Sequence, residues 1–387
     1  MSPSFALAGC RIFDGTTFLE DAALVVADGK VAQIVGNDAV PADTPVEHLD
    51  GGTLMPGFID LQVNGGGGCQ FNDNPTVEAI EAICDVHGQM GTTSLLPTLI
   101  TDGAEKTAAA IHAAKKAQES KVPGFLGLHL EGPHLSQARK GAHDPGLIRK
   151  MEDQDLQLLL QAAADIDNLM ITVAPESVRP DQIGQLSNAG AIISLGHSNT
   201  DYGTAMEAAE AGASCVTHLF NAMSPLTHRE PGLVGAALQS GKLYCGLIAD
   251  GFHVDAAAIR IALAAKNGPG RIFLVSDAMA ATGSDRQEFE LGGRKILRNG
   301  GRLTLEDGTL AGADIDMAGS LKFMVHSVGT EFAEAAKMAT LYPAQCLGRQ
   351  GQIGQLSPGL PADLVHLDDA LSVQRVWRGG SPLAARR

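Results

Sequence analysis

The chain has 387 residues, 44% of them hydrophobic and 19% charged, with a formal net charge of −16. This is the composition of a globular protein with a large core, and the acidic balance argues against nucleic acid or an anionic membrane surface as partner. No stretch approaches the ~20 apolar residues of a membrane span, and the six cysteines (Cys10, Cys69, Cys84, Cys215, Cys245, Cys346) form no CxxC pair, the usage expected of free thiols in a reducing, cytoplasmic setting.

The first fifty residues read as short strands: Ala6 to Phe13, Ala22 to Ala27 and Lys30 to Val35, with Asp28-Gly29 as a hairpin signal between the last two. Leu7-Ala8-Gly9-Cys10 mimics a lipoprotein cleavage box, but nothing basic precedes it and its apolar stretch is too short for a leader. From Phe58 onward the pattern changes. Apolar runs at Phe58 to Val63, Thr93 to Leu99, Gly124 to Leu130, Leu169 to Ala174, Ala191 to Gly196, Cys215 to Leu219, Leu243 to Ala249 and Arg271 to Ser276 read as strands. Helical stretches such as Val77 to Gln89, Gly103 to Gln118, Asp153 to Ala164, Thr204 to Ala211 and Ala256 to Lys266 separate most of them. Strand then helix, repeated, means parallel strands joined by crossovers, and about eight of them close a (β/α)₈ barrel.

After the eighth strand, residues 289–310 read as an inserted β-hairpin turning at Asn299-Gly300-Gly301. The tail returns to strands at Ala362 to Leu367 and Val373 to Arg378. The expected fold class is therefore α/β. A TIM-type barrel over 55–351 carries a small β-sandwich domain built from both chain ends, 1–54 and 352–387.

In such a barrel the chemistry sits at the C-terminal ends of the strands. Strand one ends in Gln62 and Asn64, strand three in His129-Leu130-Glu131, and strand five in Gly196-His197. Strand six ends in Thr217-His218, strand seven in Asp250 to His253, and strand eight in Ser276-Asp277. Any one of these is an ordinary polar strand end; six together point to a site. Glu131, His197 and His218 make a two-histidine, one-carboxylate set, a known zinc composition with an open position for water. Asp277 is the candidate general base. Gln62 and Asn64 share a strand face but are neutral amides, poor ligands for such an ion. His129 reads as barrel packing, His134 as a loop residue, and His48, His87, His112, His326 and His366 as structural.

These residues lie in motifs that resemble the N-acetylglucosamine-6-phosphate deacetylase family of the amidohydrolase superfamily. In order they are PGFID from Pro56 with Gln62-x-Asn64-Gly65, LPTLIT from Leu96, HLEGP from His129, KGAH from Lys140, GHS from Gly196, THLFNAM from Thr217, REPG from Arg229 and SDAM from Ser276. They run across almost the whole chain, and THLFNAM followed by REPG is the most diagnostic.

The resemblance implies one divalent metal ion per chain, zinc by type, on Glu131, His197 and His218. It implies deacetylation of an acetamido sugar 6-phosphate, with Asp277 as base and His143 as oxyanion stabiliser. It assigns substrate contacts to Ala142, His143, Asn221, Ala222, Arg229, Asp250, His253 and the segment Leu310-Ala311-Gly312, with Arg229 contributed across a homodimer interface. Gln62 and Asn64 would hydrogen-bond the metal's water or merely satisfy each other. Cys69 and His134 depart from the family pattern in loops and leave the finer substrate preference open. The rival readings are an amidohydrolase acting on the galacto epimer or on an N-acyl amino acid, and a non-catalytic barrel scaffold. The paired Asn221 and Arg229 speak against an amino-acid substrate, and the intact ligand set speaks against a scaffold.

Overall fold

The computed structural model describes residues 4–384. Eight parallel strands form one sheet in chain order: Phe58–Val63, Thr92–Ile100, Leu128–Glu131, Leu169–Val173, Ile192–Leu195, Cys215–Val216, Tyr244–Leu247 and Ile272–Leu274. All nine residues of Thr92–Ile100 are buried, as expected where helices cover one sheet face and the barrel interior the other. The crossover helices bury one stripe each; Val77–Gln89 turns Ile80, Ile83, Cys84 and His87 inward, at helical spacing. Its start is fixed by Thr76, whose hydroxyl accepts the Ala79 N–H.

The sheet closes between its first and last strands. The Asp277 N–H donates to the Gln62 carbonyl at 3.0 Å and the Asn64 N–H to the Ala278 carbonyl at 2.8 Å, around a parallel bridge between Val63 and Ala278. Below this seam the carboxylate of Asp60, fully buried, accepts the backbone N–H groups of Gln62 and Ser276 at 3.2 Å. Inside the barrel His129 bonds Thr172 at 2.7 Å, and Thr172 in turn meets Thr217 at 2.6 Å. His129 thus packs the interior, as expected.

The two chain ends pair with each other. Thr53–Pro56 lies antiparallel to Leu364–Leu367 in a six-stranded sheet, and a four-stranded sheet faces a separate apolar core containing Leu7, Leu24, Leu54, Leu364 and Trp377. The single strand expected over Ala6 to Phe13 is two, Phe5–Ala8 and Arg11–Phe13, one in each sheet. The break falls at Gly9, whose φ of +85° and close approach to the Leu49 carbonyl admit only glycine.

The insertion is larger than the expected hairpin. Glu288–Leu291, Arg294–Asn299, Arg302–Leu305 and Leu310–Ala313 form a four-stranded antiparallel meander. Its central turn is Gly300-Gly301, both at positive φ, the two-residue turn the sequence signals. The outer strands escape notice because each has only four residues and one of them is Leu-Ala-Gly-Ala. Phe289, Leu291, Ile296 and Leu303 give the meander a small core against Met279 and Ala280.

His87 lies beneath the glycine run. Its Nε2 is 2.9 Å from the Gly65 carbonyl while its Nδ1 has no partner, so the neutral ring donates through Nε2. Burial, only partly offset by that bond, pushes its pKa down to about 4. The unfolded chain therefore takes up this proton at higher pH than the folded one. The stability His87 contributes is complete above about pH 6.5 and is lost as pH falls towards 4. Between pH 7 and pH 5 this amounts to on the order of 2 kcal/mol. His87→Gln should shrink the loss of unfolding free energy between those pH values by that order in urea titrations. An unchanged loss would show that His87 titrates alike in both states.

Candidate active site

The strand ends converge as the barrel geometry requires, and three of them do so in an uncommon backbone conformation. His197, His218 and Asp277 have φ of +45°, +31° and +51°, and Phe220 and Ala222 of the following turn are also left-handed. Such conformations are costly for residues with a Cβ and persist where the surroundings over-determine them. They also explain why strands five, six and eight are shorter than their apolar runs: the chain turns out of the sheet to aim each side chain inward.

Glu131 Oε1 lies 3.2 Å from His197 Nε2 and 3.0 Å from His218 Nε2, and the two imidazole nitrogens are 3.0 Å apart. His197 Nδ1 meets the Arg139 carbonyl at 2.8 Å. A carbonyl can only accept, so His197 carries its proton on Nδ1 and turns the Nε2 lone pair to the cluster. Tetrahedral bonds of ~2.1 Å place ligand atoms roughly 3.4 Å apart, close to this spacing, and the donor set suits a divalent ion. His218 Nδ1 has no protein partner. Burial alone would raise the Glu131 carboxyl, but the imidazoles of His197 and His218 beside it hold it well below the usual carboxylate range.

Glu131, His143 and His197 also bring ligand atoms within 4.8 Å of one another, but His143 is differently disposed. Its Nδ1 accepts the Thr101 N–H at 3.3 Å and lies 2.7 Å from the Thr101 hydroxyl. The backbone N–H can only donate, so neutral His143 carries its proton on Nε2, the nitrogen 4.0 Å from Glu131 Oε2. Burial depresses its pKa well below the ordinary value. His143 is thus a neutral hydrogen-bond donor beside the trio rather than a member of it.

Asp277 faces the trio across the seam. Its Oδ1 accepts from Asn64 Nδ2 at 2.7 Å and Gln62 Nε2 at 3.1 Å, and Gln62 Nε2 is also 3.2 Å from Glu131 Oε1. Burial, reinforced by the charge of Glu131, pushes the Asp277 carboxyl up to about 6.

These groups line one cavity of about 230 Å³, below the ~300–1,000 Å³ of drug-sized pockets and suited to a small metabolite. Asn221, Ala222 and His253 line another wall, and Ala142 with Leu310, Ala311 and Gly312 complete it. Asn221 turns its amide nitrogen back onto the His218 and Leu219 carbonyls at 3.3 Å. Asp250 does not line the cavity: it holds His253 Nδ1 at 2.6 Å and so acts on the site only through that ring. His134 is buried behind the site, against the Arg149 carbonyl. Arg229 is exposed outside its own chain's cavity, and its guanidinium makes no ion pair among the described residues. Its loop is fixed by Glu230, which accepts the N–H groups of Tyr202 and Gly232.

Two residues that position the site go unnoticed in the sequence. Thr101 closes the LPTLIT run and orients His143, a signal available at the end of strand two. Arg294 donates to the Ala142 carbonyl and ties the inserted sheet to the His143 loop; nothing in its surface-like surroundings marks it.

Comparison with known proteins agrees with this geometry. The amidohydrolase family model matches residues 53–383, and the NagA composite domain model matches residues 4–54. An N-acetylgalactosamine-6-phosphate deacetylase of Shewanella sp. (strain ANA-3) is 44% identical over 97% of this chain and 95% of its own. An N-acetylglucosamine-6-phosphate deacetylase of Haemophilus influenzae is 35% identical over 93% of this chain and 94% of its own. The crystal structure of N-acetylglucosamine-6-phosphate deacetylase from Pasteurella multocida superposes with a TM-score of 0.94 at 36% identity, covering 98% of this chain and 99% of that one. The barrel, the converging strand ends and these matches together make the chain a member of the amidohydrolase family.

Proposed function

We propose that this chain hydrolyses the acetamide of a 6-phosphorylated N-acetylhexosamine, N-acetylglucosamine 6-phosphate in the first place, to acetate and the amino sugar phosphate. The observation that carries this reading is that the Glu131, His197, His218 trio and the buried Asp277 carboxylate face one small cavity. The trio would hold one divalent ion, zinc by its donor chemistry, and the ion when bound supplies a Lewis acid that makes water acidic near neutral pH and polarises the acetyl carbonyl. Asp277 takes a proton from the attacking water and returns it to the sugar nitrogen as the C–N bond breaks. His143, neutral and protonated on Nε2, donates to the acetyl oxygen as negative charge gathers there.

The phosphate end would lie against Ala222 and His253, the latter oriented by Asp250. Arg229, exposed on its rigid loop, would reach the phosphate of a second copy's site and make the enzyme a homodimer, its planar fork suited to two phosphate oxygens. The galacto epimer is the second reading, favoured by the 44% identical Shewanella relative.

Acetate release from both 6-phosphorylated epimers and from unphosphorylated N-acetylglucosamine tests the substrate. One or both phosphorylated sugars should be turned over far more efficiently than the third, because phosphate donors are left unpaired without their ligand. Comparable kcat/KM for the unphosphorylated sugar would point to a general amide hydrolase.

Protein never exposed to excess metal should contain about one tightly bound ion per chain by mass spectrometry, since one strong three-ligand set is present. Two tight ions per chain would mean that Gln62 and Asn64 do not close a second site.

Refolding Asp277→Asn and Arg229→Ala together tests the shared site. Each homodimer should be poorly active. In a two-fold dimer with sharing, about half of the dimers are mixed and each mixed pair has one site with both defects and one with neither, so activity should return to roughly a quarter of wild type. No recovery in a mixture shown to contain heterodimers would place Arg229 in its own chain's chemistry or outside it altogether.

A further inference from the structure

Strand one carries two neutral amides where a metal-site geometry would take stronger ligands, and the hydrogen bonds indicate what they do instead. Asn64 Nδ2 is 2.7 Å from Asp277 Oδ1, and Gln62 Nε2 is 3.1 Å from the same oxygen. An ionised carboxylate only accepts, so both amides must present nitrogen to it, which fixes their orientation. Both side chains are at most 2% exposed. Asp277 itself sits at a φ of +51°. Its backbone N–H is held by the Gln62 carbonyl, and its own carbonyl accepts from Ala313 at 2.9 Å. Strand one therefore grips this residue twice, once through the main chain and once through both side chains, and both side-chain contacts fall on one carboxylate oxygen.

We infer that Gln62 and Asn64 are positioning residues that together hold Oδ1 of Asp277, so that Oδ2 is the oxygen that takes the proton from water and returns it to the departing nitrogen. The inference rests on the deacetylase reading above and adds to it the means by which the base is aimed. The two amides have different standing. Gln62 also touches Glu131, so its loss disturbs the trio as well. Asn64 bonds Asp277 alone through its side chain, so Asn64 is the residue whose removal reports on the clamp.

The test is a double-mutant cycle on the metal-loaded enzyme, using whichever phosphorylated epimer it turns over, with metal content per chain measured for every variant. Asn64→Ala should lower kcat about 10- to 100-fold, the usual cost of removing an orienting partner from a catalytic group, with KM and metal content unchanged. In the Asp277→Asn background the same substitution should cause no further loss, because no base remains to be aimed. An equal fold-loss in both backgrounds would mean that Asn64 acts through packing and would overturn the inference. So would Asn64→Ala with wild-type kcat. Should Asn64→Ala fold poorly, near-isosteric Asn64→Leu fills the same space without a donor and should show the same loss; retained activity in it overturns the inference equally. A wild-type enzyme that releases no acetate from either sugar phosphate fails the deacetylase reading itself, an outcome separate from all of these.

Discussion

Everything in the site depends on how the barrel closes. Two backbone hydrogen bonds, from Asp277 to Gln62 and from Asn64 to Ala278, join the first and last strands of the sheet at its C-terminal edge. They set the distance between the strand that carries the amides and the strand that carries the carboxylate. Asp60 secures the same edge from below by offering a buried carboxylate to N–H groups of both strands. Burial pushes that carboxyl up to about 7, a cost accepted in exchange for satisfying main-chain donors where the ladder is irregular. With the seam fixed, Gln62 spans from Asp277 to Glu131 and so connects the eighth strand to the trio at the ends of the third, fifth and sixth.

The same edge concentrates the molecule's conformational strain. Left-handed residues at His197, His218 and Asp277 each stand just beyond a strand that is locked into the sheet. Two of the side chains are held from a second direction, His197 by the Arg139 carbonyl and Asp277 by the two amides, whereas His218 meets Glu131 within the cluster itself. The barrel contributes rigidity and the second set of bonds contributes aim. Neither suffices alone, since a strand end without an orienting partner would let an imidazole rotate away from the cluster.

The barrel is legible in the sequence because buried parallel strands are apolar along their whole length, and eight such runs survive errors of up to four residues at their ends. The trio is legible because barrel chemistry sits at strand ends, and Glu131, His197 and His218 fall there. Three things are not legible, each for a physical reason. The break at Gly9 moves the chain between sheets without changing its apolar pattern. The outer strands of the insertion are too short, and one too rich in small residues, to show alternation. The attachment of Arg294 to the Ala142 carbonyl joins segments about 150 positions apart, and a lone arginine on a solvated strand gives no sign of its acceptor. Sequence spacing does bring Asp250 and His253 together, but only the geometry separates the residue that lines the cavity from the one that holds it.

The inserted sheet packs mainly on its own small core and on residues just past the eighth strand, and it meets the His143 loop at Ala142, which packs against that core and accepts from Arg294. The cavity is thus assembled from two parts with different tolerances. Changes along the seam shift Asp277 relative to Glu131, His197 and His218. Of the meander, only its last strand touches Asp277, through the Ala313 N–H to the Asp277 carbonyl; the three strands before it can change with less effect on that spacing. Since Leu310, Ala311 and Gly312 line the cavity from this sheet, substitutions in its outer strands can alter the shape of that wall at less risk to the fold of the barrel than substitutions along the seam.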